Sequence, residues 1–303
     1  MRVFDRGIVA VARLRFRTLG LELRNIRTRY ESAFLFSAAR DGGETMVLKI
    51  SQYGPARVFT LNRPDALNAI SGELAAQLLD AVAAAEADAG TRVVVVTGAG
   101  SKAFCAGADL KERRTMTADE KWAQAFALWR VNEAIWRSPK AFVAAVNGWC
   151  LGGGFELALY CDLRIASDKA RFGFPEMTLG AFPGAGGAVV LPRLIGRAAA
   201  RPFLYLARQV GAADALKLGI LEQATSPDEL MPAAIALANQ IADSTSPLGF
   251  ANAKVLLNGG ADLEFGAAAE LNQSLRRPLE ATADYEEGLR AHFEKRKPRF
   301  IGR

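Results

Sequence analysis

Two glutamates in apolar surroundings are the residues of this sequence whose type and setting best suit catalysis. Glu156 is the only charged residue in the run 155–161, and Glu176 follows Pro175. Burial raises the pKa of a carboxyl group because the charged form loses its solvation. Two such carboxyls that lie close together can divide the roles of acid and base, since one stays ionised while the other keeps a proton. The single histidine, His292, leaves acid–base chemistry to carboxylates, lysines or tyrosines.

Each glutamate also has a purely structural explanation, which spacing alone does not exclude. Glu156 would then lie in a buried salt bridge, with Arg164 as the candidate partner, because a buried carboxylate is costly unless it is paired or protonated. Glu176 would be a glutamate in the first turn of a helix, where the helix dipole favours a negative charge. The catalytic and the structural explanations stay open side by side at this point.

Glycine-rich stretches supply a second kind of chemical group, the free backbone N–H. Glycine permits positive φ and lets the backbone approach another group closely. Unpaired N–H groups at turns and helix starts bind negative oxygen, and two of them from separate loops can form an oxyanion hole. The stretches lack the residues of a P-loop or of a dinucleotide-binding turn, so no nucleotide cofactor site is predicted. They are "AFCAGADLKE" (103–112), "NGWCLGGGFE" (147–156) and "FGFPEMTLGAFPGAGG" (172–187).

Strands and helices alternate in the segment that contains these stretches. Runs rich in Val, Ile, Phe and Ala that end in turn residues predict strands, at 56–62, 91–98, 141–148 and 162–167. Helical spacing predicts helices at 71–88, with Ser71 as N-cap, and at 117–138, where Thr117 and Glu120 form a capping box. Apolar strands fed by helices favour a sheet that is covered on both faces.

The chain divides into three regions by composition and pattern. Strand signals end at about Pro202, and the remainder is predicted to be helical, over 228–244 and 266–297. We therefore expect an α/β core with the active site at 46–201 and a helical C-terminal region at 202–303. Residues 1–45 form a basic N-terminal extension of uncertain order.

The N-terminal extension carries most of the charge asymmetry. Residues 1–40 hold nine arginines and three acidic residues, while the whole chain has a net charge of +6. A dispensable extension, a targeting segment, a nucleic-acid arm and a structural element all remain possible for it. No run of 18 apolar residues indicates a membrane span. Three cysteines without metal-ligand spacing suit a reducing compartment and packing as small hydrophobic residues.

Five stretches together resemble the crotonase superfamily, which comprises enoyl-CoA hydratases and isomerases. They are "LNRPDALNAIS", "AFCAGADLKE", "AAVNGWCLGGGFELALYCDLRIAS", "FGFPEMTLGAFPGAGGAVVLPRLIG" and "TADYEEGLRAHFEKRKPRFIGR". The match runs from about residue 46 to 303. The resemblance implies a crotonase-like spiral of ββα turns with a helical C-terminal region, assembled as a homo-trimer or homo-hexamer. It also implies an acyl-CoA thioester substrate, with no metal and no cofactor, since CoA is part of the substrate.

The resemblance also implies roles for individual residues. The family's oxyanion hole falls on the backbone N–H groups of Ala108 and Gly153, and its hydratase carboxylates fall on Glu156 and Glu176. The CoA-binding positions fall on Ala108, Asp109, Leu110, Lys111 and Lys295. Lys295 is expected to lie on one helical face with His292.

Hydration of a trans-2-enoyl-CoA is the reaction that the two glutamates favour, because isomerases of this superfamily commonly keep only the one at the Glu176 position. A double-bond isomerase, or another crotonase-type acyl-CoA enzyme, is the alternative, since one fold serves several reactions. A nucleic-acid-binding protein acting through the arginine-rich N-terminus is an alternative of another class. Some methylglutaconyl-CoA hydratases bind RNA through a lysine-rich helix, but 71–88 contains no lysine or arginine. The expected compartment is the cytoplasm, or the mitochondrial matrix if residues 1–45 are a transit peptide.

Overall fold

Ten short strands form two sheets in the computed structural model, which describes residues 46–303. The basic extension at 1–45, and with it the questions of targeting and of a nucleic-acid arm, lies outside the described residues. The strands are β1 (Leu48–Tyr53), β2 (Ala56–Leu61), β3 (Val93–Gly98), β4 (Ala103–Cys105), β5 (Ala141–Val146), β6 (Trp149–Leu151), β7 (Leu163–Ser167), β8 (Arg171–Gly173), β9 (Val210–Gly211) and β10 (Gln223–Thr225).

Helices follow most of the strand pairs and make up the C-terminal region. They are α1 (Gly72–Ala87), α2 (Leu110–Arg113), α3 (Ala118–Arg137), α4 (Gly153–Tyr160), α5 (Gly187–Tyr205), α6 (Ala212–Lys217), α7 (Leu230–Ser244), α8 (Pro247–Gly260), α9 (Phe265–Arg276) and α10 (Ala283–Phe293). The Ser71 side chain accepts the N–H of Leu74 at the start of α1, and the capping box of Thr117 and Glu120 starts α3. Both predicted helix starts are therefore confirmed.

The larger sheet has the strand order β1-β2-β3-β5-β7-β10, and the smaller one has the order β4-β6-β8-β9. The pairs β1–β2 and β8–β9 are antiparallel and the others are parallel. Three times in succession, a strand of the larger sheet is followed by a strand of the smaller sheet, as β3–β4, β5–β6 and β7–β8. Each pair then leads into helical structure, which confirms the expected spiral of ββα turns.

The central strands are buried on both faces because helices cover each side of the larger sheet. Val94 and Val96 of β3 belong to the hydrophobic cluster that includes the inner face of α1. Val93 and Val95 point to the opposite face and pack in the cluster that contains Leu230 of α7. Successive side chains of a strand alternate between the two faces, so a continuous valine run fills both cores at once.

The structure corrects two expectations for the C-terminal region. Strands do not end at Pro202, since β9 pairs with β8 and β10 pairs with β7. The helix predicted for 266–297 is broken by a 3-10 turn at Arg277–Ala281, because Pro278 has no N–H to continue the α-helical pattern. No helix among residues 46–303 is long and apolar enough to cross a membrane.

Candidate active site

The first glycine-rich stretch presents the backbone N–H of Ala108. Ile70 donates to the carbonyl of Gly107 and accepts from Asp109, at 2.8 and 3.2 Å. These two bonds fix the segment on either side of Ala108 without using the Ala108 N–H. Gly107 has φ of +97°, and a Cβ there would lie 3.1 Å from the nitrogen of Gly153. Glycine is therefore required for the two loops to approach each other.

The second stretch presents the N–H of Gly153 at the first position of α4. Gly152 precedes it as N-cap with φ of +53°, and its N–H donates to the carbonyl of Gly173. A Cβ on Gly153 would lie 3.7 Å from the nitrogen of Ala108. Within residues 46–303, neither the Ala108 N–H nor the Gly153 N–H donates to a protein acceptor. Two free donors lie side by side, which is the geometry that an oxyanion requires.

Glu156 lies one turn into α4 and is only 2% exposed. Its Oε1 accepts two backbone hydrogen bonds, from Ala185 and Gly187, both at 2.8 Å. Burial raises the pKa of Glu156 to about 8; the Gly187 N–H opposes the rise, the charge of Glu176 adds to it, and the Ala185 N–H opposes it. The carboxyl is thus buried against backbone donors, while Oε2 accepts no hydrogen bond from any described residue.

The alternative salt bridge between Glu156 and Arg164 is wrong. The Arg164 guanidinium pairs with Glu222 at 3.3 Å and donates to the carbonyls of Ile220 and Cys161 at 2.7 Å. Its N–H donors therefore serve the C-terminal end of α4, the turn before β7 and the chain just before β10. Because no cation among residues 46–303 pairs with Glu156, burial rather than ion pairing sets its pKa.

Glu176 lies in the first turn of a 3-10 helix, Pro175–Leu179, so the sequence placed it correctly at a helix start. Its carboxyl group faces the site: a Cβ on Gly152 would lie 3.0 Å from Oε1 and 3.1 Å from Oε2. Oε2 is buried and has no hydrogen-bond partner among the described residues. Burial raises the pKa of Glu176, which its own backbone N–H and the charge of Arg113 counteract.

Both carboxyls therefore lie close to the start of α4, where the two free N–H groups converge. The negative charge of Glu176 raises the pKa of Glu156, so the pair interacts electrostatically. The site can hold a negatively polarised oxygen at Ala108 and Gly153. It also offers one carboxyl as an acid and the other as a base on the adjoining atoms.

The predicted CoA-binding positions fall in two places. Residues 108–111 surround the start of α2, where Leu110 and Lys111 are exposed. The Asp109 carboxylate accepts the N–H groups of Lys111 and Glu112 and pairs with Arg63 at 2.9 Å. That carboxylate is engaged within the protein, which leaves the backbone and the neighbouring side chains to face a ligand.

Lys295 does not share a helical face with His292, as the sequence led us to expect. Helix α10 ends at Phe293, and Lys295 follows it with φ of +53°. Its N–H donates to the His292 carbonyl at 3.3 Å. The role of Lys295 in binding CoA stays a prediction.

Three features of the site were not predicted from the sequence. The donors to Glu156 are backbone groups of Ala185 and Gly187, and the third glycine-rich stretch was their only signal. Arg63 anchors Asp109 from the "LNRP" stretch, which was noted only as part of the resemblance. Asn132, a polar residue in the buried face of α3, donates to the Ala185 carbonyl.

The three cysteines lie in the buried core, as predicted. Cys105, Cys150 and Cys161 are free thiols. Burial raises the pKa of each one above that of an ordinary thiol, to about 12 for Cys105 and Cys161. A thiol with so high a pKa is a poor nucleophile, which supports the packing role.

Comparison with known proteins gives one consistent result. Residues 54–303 match the family model described as enoyl-CoA hydratase/isomerase. The crotonyl-CoA hydratase of Syntrophomonas wolfei is 37% identical over 249 residues, which are 81% of this chain and 94% of that protein. The short-chain-enoyl-CoA hydratase of Clostridium acetobutylicum is 36% identical, over 82% of this chain and 95% of its own length. The crystal structure of enoyl-CoA hydratase from Bacillus anthracis superposes with a TM-score of 0.83 at 36% identity, covering 85% of this chain and 100% of that one.

Proposed function

The chain belongs to the enoyl-CoA hydratase/isomerase family and has the crotonase fold, and we propose that it adds water across the 2,3 double bond of a trans-2-enoyl-CoA. The product is a 3-hydroxyacyl-CoA. One observation carries the proposal: two carboxyls, Glu156 and Glu176, adjoin the free N–H groups of Ala108 and Gly153. A hydratase needs both, because one group must take a proton from water while the other delivers one to carbon.

In the proposed mechanism, the thioester carbonyl accepts hydrogen bonds from Ala108 and Gly153. These bonds withdraw electrons from the conjugated system and make C3 electrophilic. A water held between the carboxyls attacks C3 as Oε2 of Glu156 takes its proton. Glu176 then supplies the proton that C2 requires, and the two N–H groups stabilise the enolate-like oxygen between these events. No metal and no redox cofactor enters the reaction.

The pKa of about 8 for Glu156 limits the proton count of the pair. Interacting carboxyls lose their protons as a pair rather than as independent groups. The pair therefore keeps its last proton until the pH rises through about 8. Hydration uses the form that has this proton on Glu176 and an ionised Glu156.

Substrate binding and assembly form a second part of the proposal. The CoA moiety binds to the stretch Ala108–Lys111 and to Lys295, because a lysine binds phosphate as a point charge.

The chain assembles as a homo-trimer or homo-hexamer, which the exposed side chains of Leu257, Phe265 and Phe293 support. Sedimentation analysis would contradict the assembly if it gave a monomer. The proposed compartment is the cytoplasm, or the mitochondrial matrix if residues 1–45 act as a transit peptide.

A panel of trans-2-enoyl-CoA substrates of graded chain length tests the reaction, because hydration removes the absorbance of the conjugated thioester. We expect turnover that is lost in both Glu156→Gln and Glu176→Gln. A 3-enoyl-CoA assayed in parallel separates the isomerase alternative, which would convert it to the 2-enoyl isomer. Turnover of the 3-enoyl substrate without hydration of any 2-enoyl substrate would contradict the proposal.

The nucleic-acid alternative has its own measurement. Salt-dependent retention of the full chain on immobilised RNA, together with no hydration of any enoyl-CoA, would favour binding through the arginine-rich residues 1–45.

A further inference from the structure

The buried face of α3 lies against the carboxyl site. Leu128 is in the middle of this face, and a Cβ on Gly153 would meet its Cδ2 at 2.6 Å. Asn132 follows Leu128 by one helical turn, so it lies on the same face. It is 0% exposed, although asparagine is a residue that seldom lies fully buried. A polar side chain in this place therefore needs an explanation.

The hydrogen bond of Asn132 supplies that explanation. Its Nδ2 donates to the carbonyl of Ala185 at 3.0 Å. The chemistry fixes this orientation of the side-chain amide, because the reverse orientation would set two oxygens against each other. Its Oδ1 has no partner among the described residues. At this position, Asn132 therefore makes one hydrogen bond through Nδ2 and leaves the buried Oδ1 without a partner.

Three consecutive peptide groups are held in the turn that precedes α5. The N–H of Ala185 and the N–H of Gly187 both donate to Oε1 of Glu156. The peptide between them, from Ala185 to Gly186, offers its carbonyl to Asn132. Gly186 has φ of +101°, which turns the chain so that the two N–H groups converge on one oxygen. The orientation of the middle peptide governs the directions of its two neighbours.

We infer that Asn132 is a positioning residue for Glu156, because it fixes the peptide between the two backbone donors of that carboxyl. The inference deepens the proposed function and depends on it only for the catalytic consequence. Without the Asn132 donor, the Ala185 carbonyl loses its partner and the turn gains freedom. The two N–H groups then stabilise the carboxylate form less, so Glu156 keeps its proton to a higher pH.

Titration of Glu156 in the substrate-free protein tests the inference directly. The carboxyl signal is followed by carbon-13 NMR in protein labelled at the glutamate carboxyl, and Glu156→Gln identifies the signal by its loss. Asn132→Leu removes the donor in a side chain of similar size. We expect its Glu156 midpoint to rise by about one pH unit, a tenfold change in the ionisation constant. An unmoved midpoint would overturn the inference.

Gln124→Leu provides a matched control. Gln124 lies on the same buried face of α3, and it also carries an amide oxygen without a partner, but it donates to Glu112 instead of the turn. We expect the control to leave the Glu156 midpoint in place. A shift equal to that of Asn132→Leu would mean that any change in this face moves the midpoint, and the specific role would be rejected.

Kinetics in the same variants separate this inference from the proposed function. Failure of the wild-type protein to hydrate any enoyl-CoA rejects the proposed function, whereas the titration still decides the role of Asn132. If hydration is observed, its loss at alkaline pH should move upward by the same amount in Asn132→Leu. Asn132→Ala gives a second variant that introduces no steric conflict, and circular dichroism confirms the fold of each.

Discussion

The two halves of the site hold their carboxyls in different ways. The inner half, α4 with Gly153 and Glu156, is buried along nearly its whole length. The outer half is the 3-10 turn that carries Glu176; this turn ends at the exposed Leu179, and the exposed Phe182 follows it. Burial raises the pKa of both glutamates. The halves differ in what opposes that rise: two fixed N–H groups on Oε1 of Glu156, against one local N–H and the charge of Arg113 for Glu176.

Burial alone therefore does not assign a role to a carboxyl. The partners of each oxygen decide which atom is available to a reactant. Glu156 has one oxygen held by the backbone and one oxygen without a partner among the described residues, so its carboxyl is fixed in place without a ligand. Glu176 has a buried oxygen without a partner, so a proton or a water is the partner that it lacks. In the proposed mechanism, the inner half therefore provides fixed geometry and the outer half provides the exchangeable proton.

Replacement of either glutamate by glutamine should have the largest effect on activity. We expect Glu156→Gln and Glu176→Gln each to lower kcat by about 10²–10⁴-fold, the usual contribution of general acid–base catalysis. Because both residues act on one water in the proposed mechanism, the double variant should lose much less than the product of the two losses. Steady-state assays with circular dichroism check this, and near-wild-type turnover in either single variant would break the pairing.

The same two variants should differ in stability. The folded-state pKa of Glu156, about 8, lies above the unfolded value of 4.5, so the folded form is stabilised less as the pH rises between these values. Complete ionisation of Glu156 lowers the free energy of unfolding by at most roughly 5 kcal/mol. Glu156→Gln has no ionisable group at this position, so it does not lose this stability. Urea unfolding at pH 6 and pH 9 measures this difference. Relative to the wild type, the free energy of unfolding of Glu156→Gln should be higher at pH 9 than at pH 6, and the increase should be smaller for Glu176→Gln. Equal gains would erase the distinction between the halves.

Gly153→Pro extends the comparison from side chains to the backbone of the inner half. Proline fits the first position of a helix but removes the N–H, and loss of one oxyanion donor costs roughly 2.7–4 kcal/mol in the transition state. Gly153→Ala is the matched control, because its Cβ meets Leu128 in the same way while the N–H remains. We expect kcat of the proline variant to fall well below that of the alanine variant. Equal kcat values would show that the donor lies elsewhere.

The pH dependence of hydration reports the coupling between the halves. We expect kcat/KM to fall as the pH rises through about 8, because the pair then loses its last proton. Removal of the Glu176 charge should lower the pKa of Glu156, since that charge raises it. An NMR titration of Glu156 in Glu176→Gln measures this change, and an unchanged midpoint would mean that the carboxyls are independent.

The smallest effect is expected outside both halves, at Lys295. Lys295→Glu should raise KM for an acyl-CoA with little change in kcat, which is the signature of lost uniform binding. It should matter less for an acyl-pantetheine substrate that lacks the nucleotide. Lys297→Glu is the control, as a neighbouring exposed lysine whose charge lies 3.8 Å from Asp243. Equal impairment with both substrates would reject a role in binding the nucleotide.

The sequence predicted those parts of the fold that repeat a local pattern. The valine run of β3 and the caps at Ser71 and Thr117 specify their elements within a few residues. Strands β9 and β10 have two and three residues, which is too short for any periodicity to show. Their existence depends on the edges of β8 and β7, which are distant in the chain.

The candidate site was predictable where side chains carry it and not where the backbone does. Glu156 and Glu176 stood out because a carboxylate among apolar residues is unusual. The donors to Glu156 could not be predicted because they are backbone N–H groups. Every residue except proline has such a group, so the residue type gives no signal. The predicted salt bridge between Arg164 and Glu156 was wrong. The true partner, Glu222, lies 58 residues away along the chain, and only the tertiary fold brings it near.

The order β1-β2-β3-β5-β7-β10 of the larger sheet also bears on biosynthesis. Each strand after β1 pairs with the strand of this sheet that precedes it in the chain, so its partner has already been synthesised when it emerges. Chains emerge from the ribosome N-terminus first, and nascent structure forms in that direction. The sheet can therefore grow one strand at a time during translation. The exposed edge moves forward with each addition, until β10 closes it with only three residues.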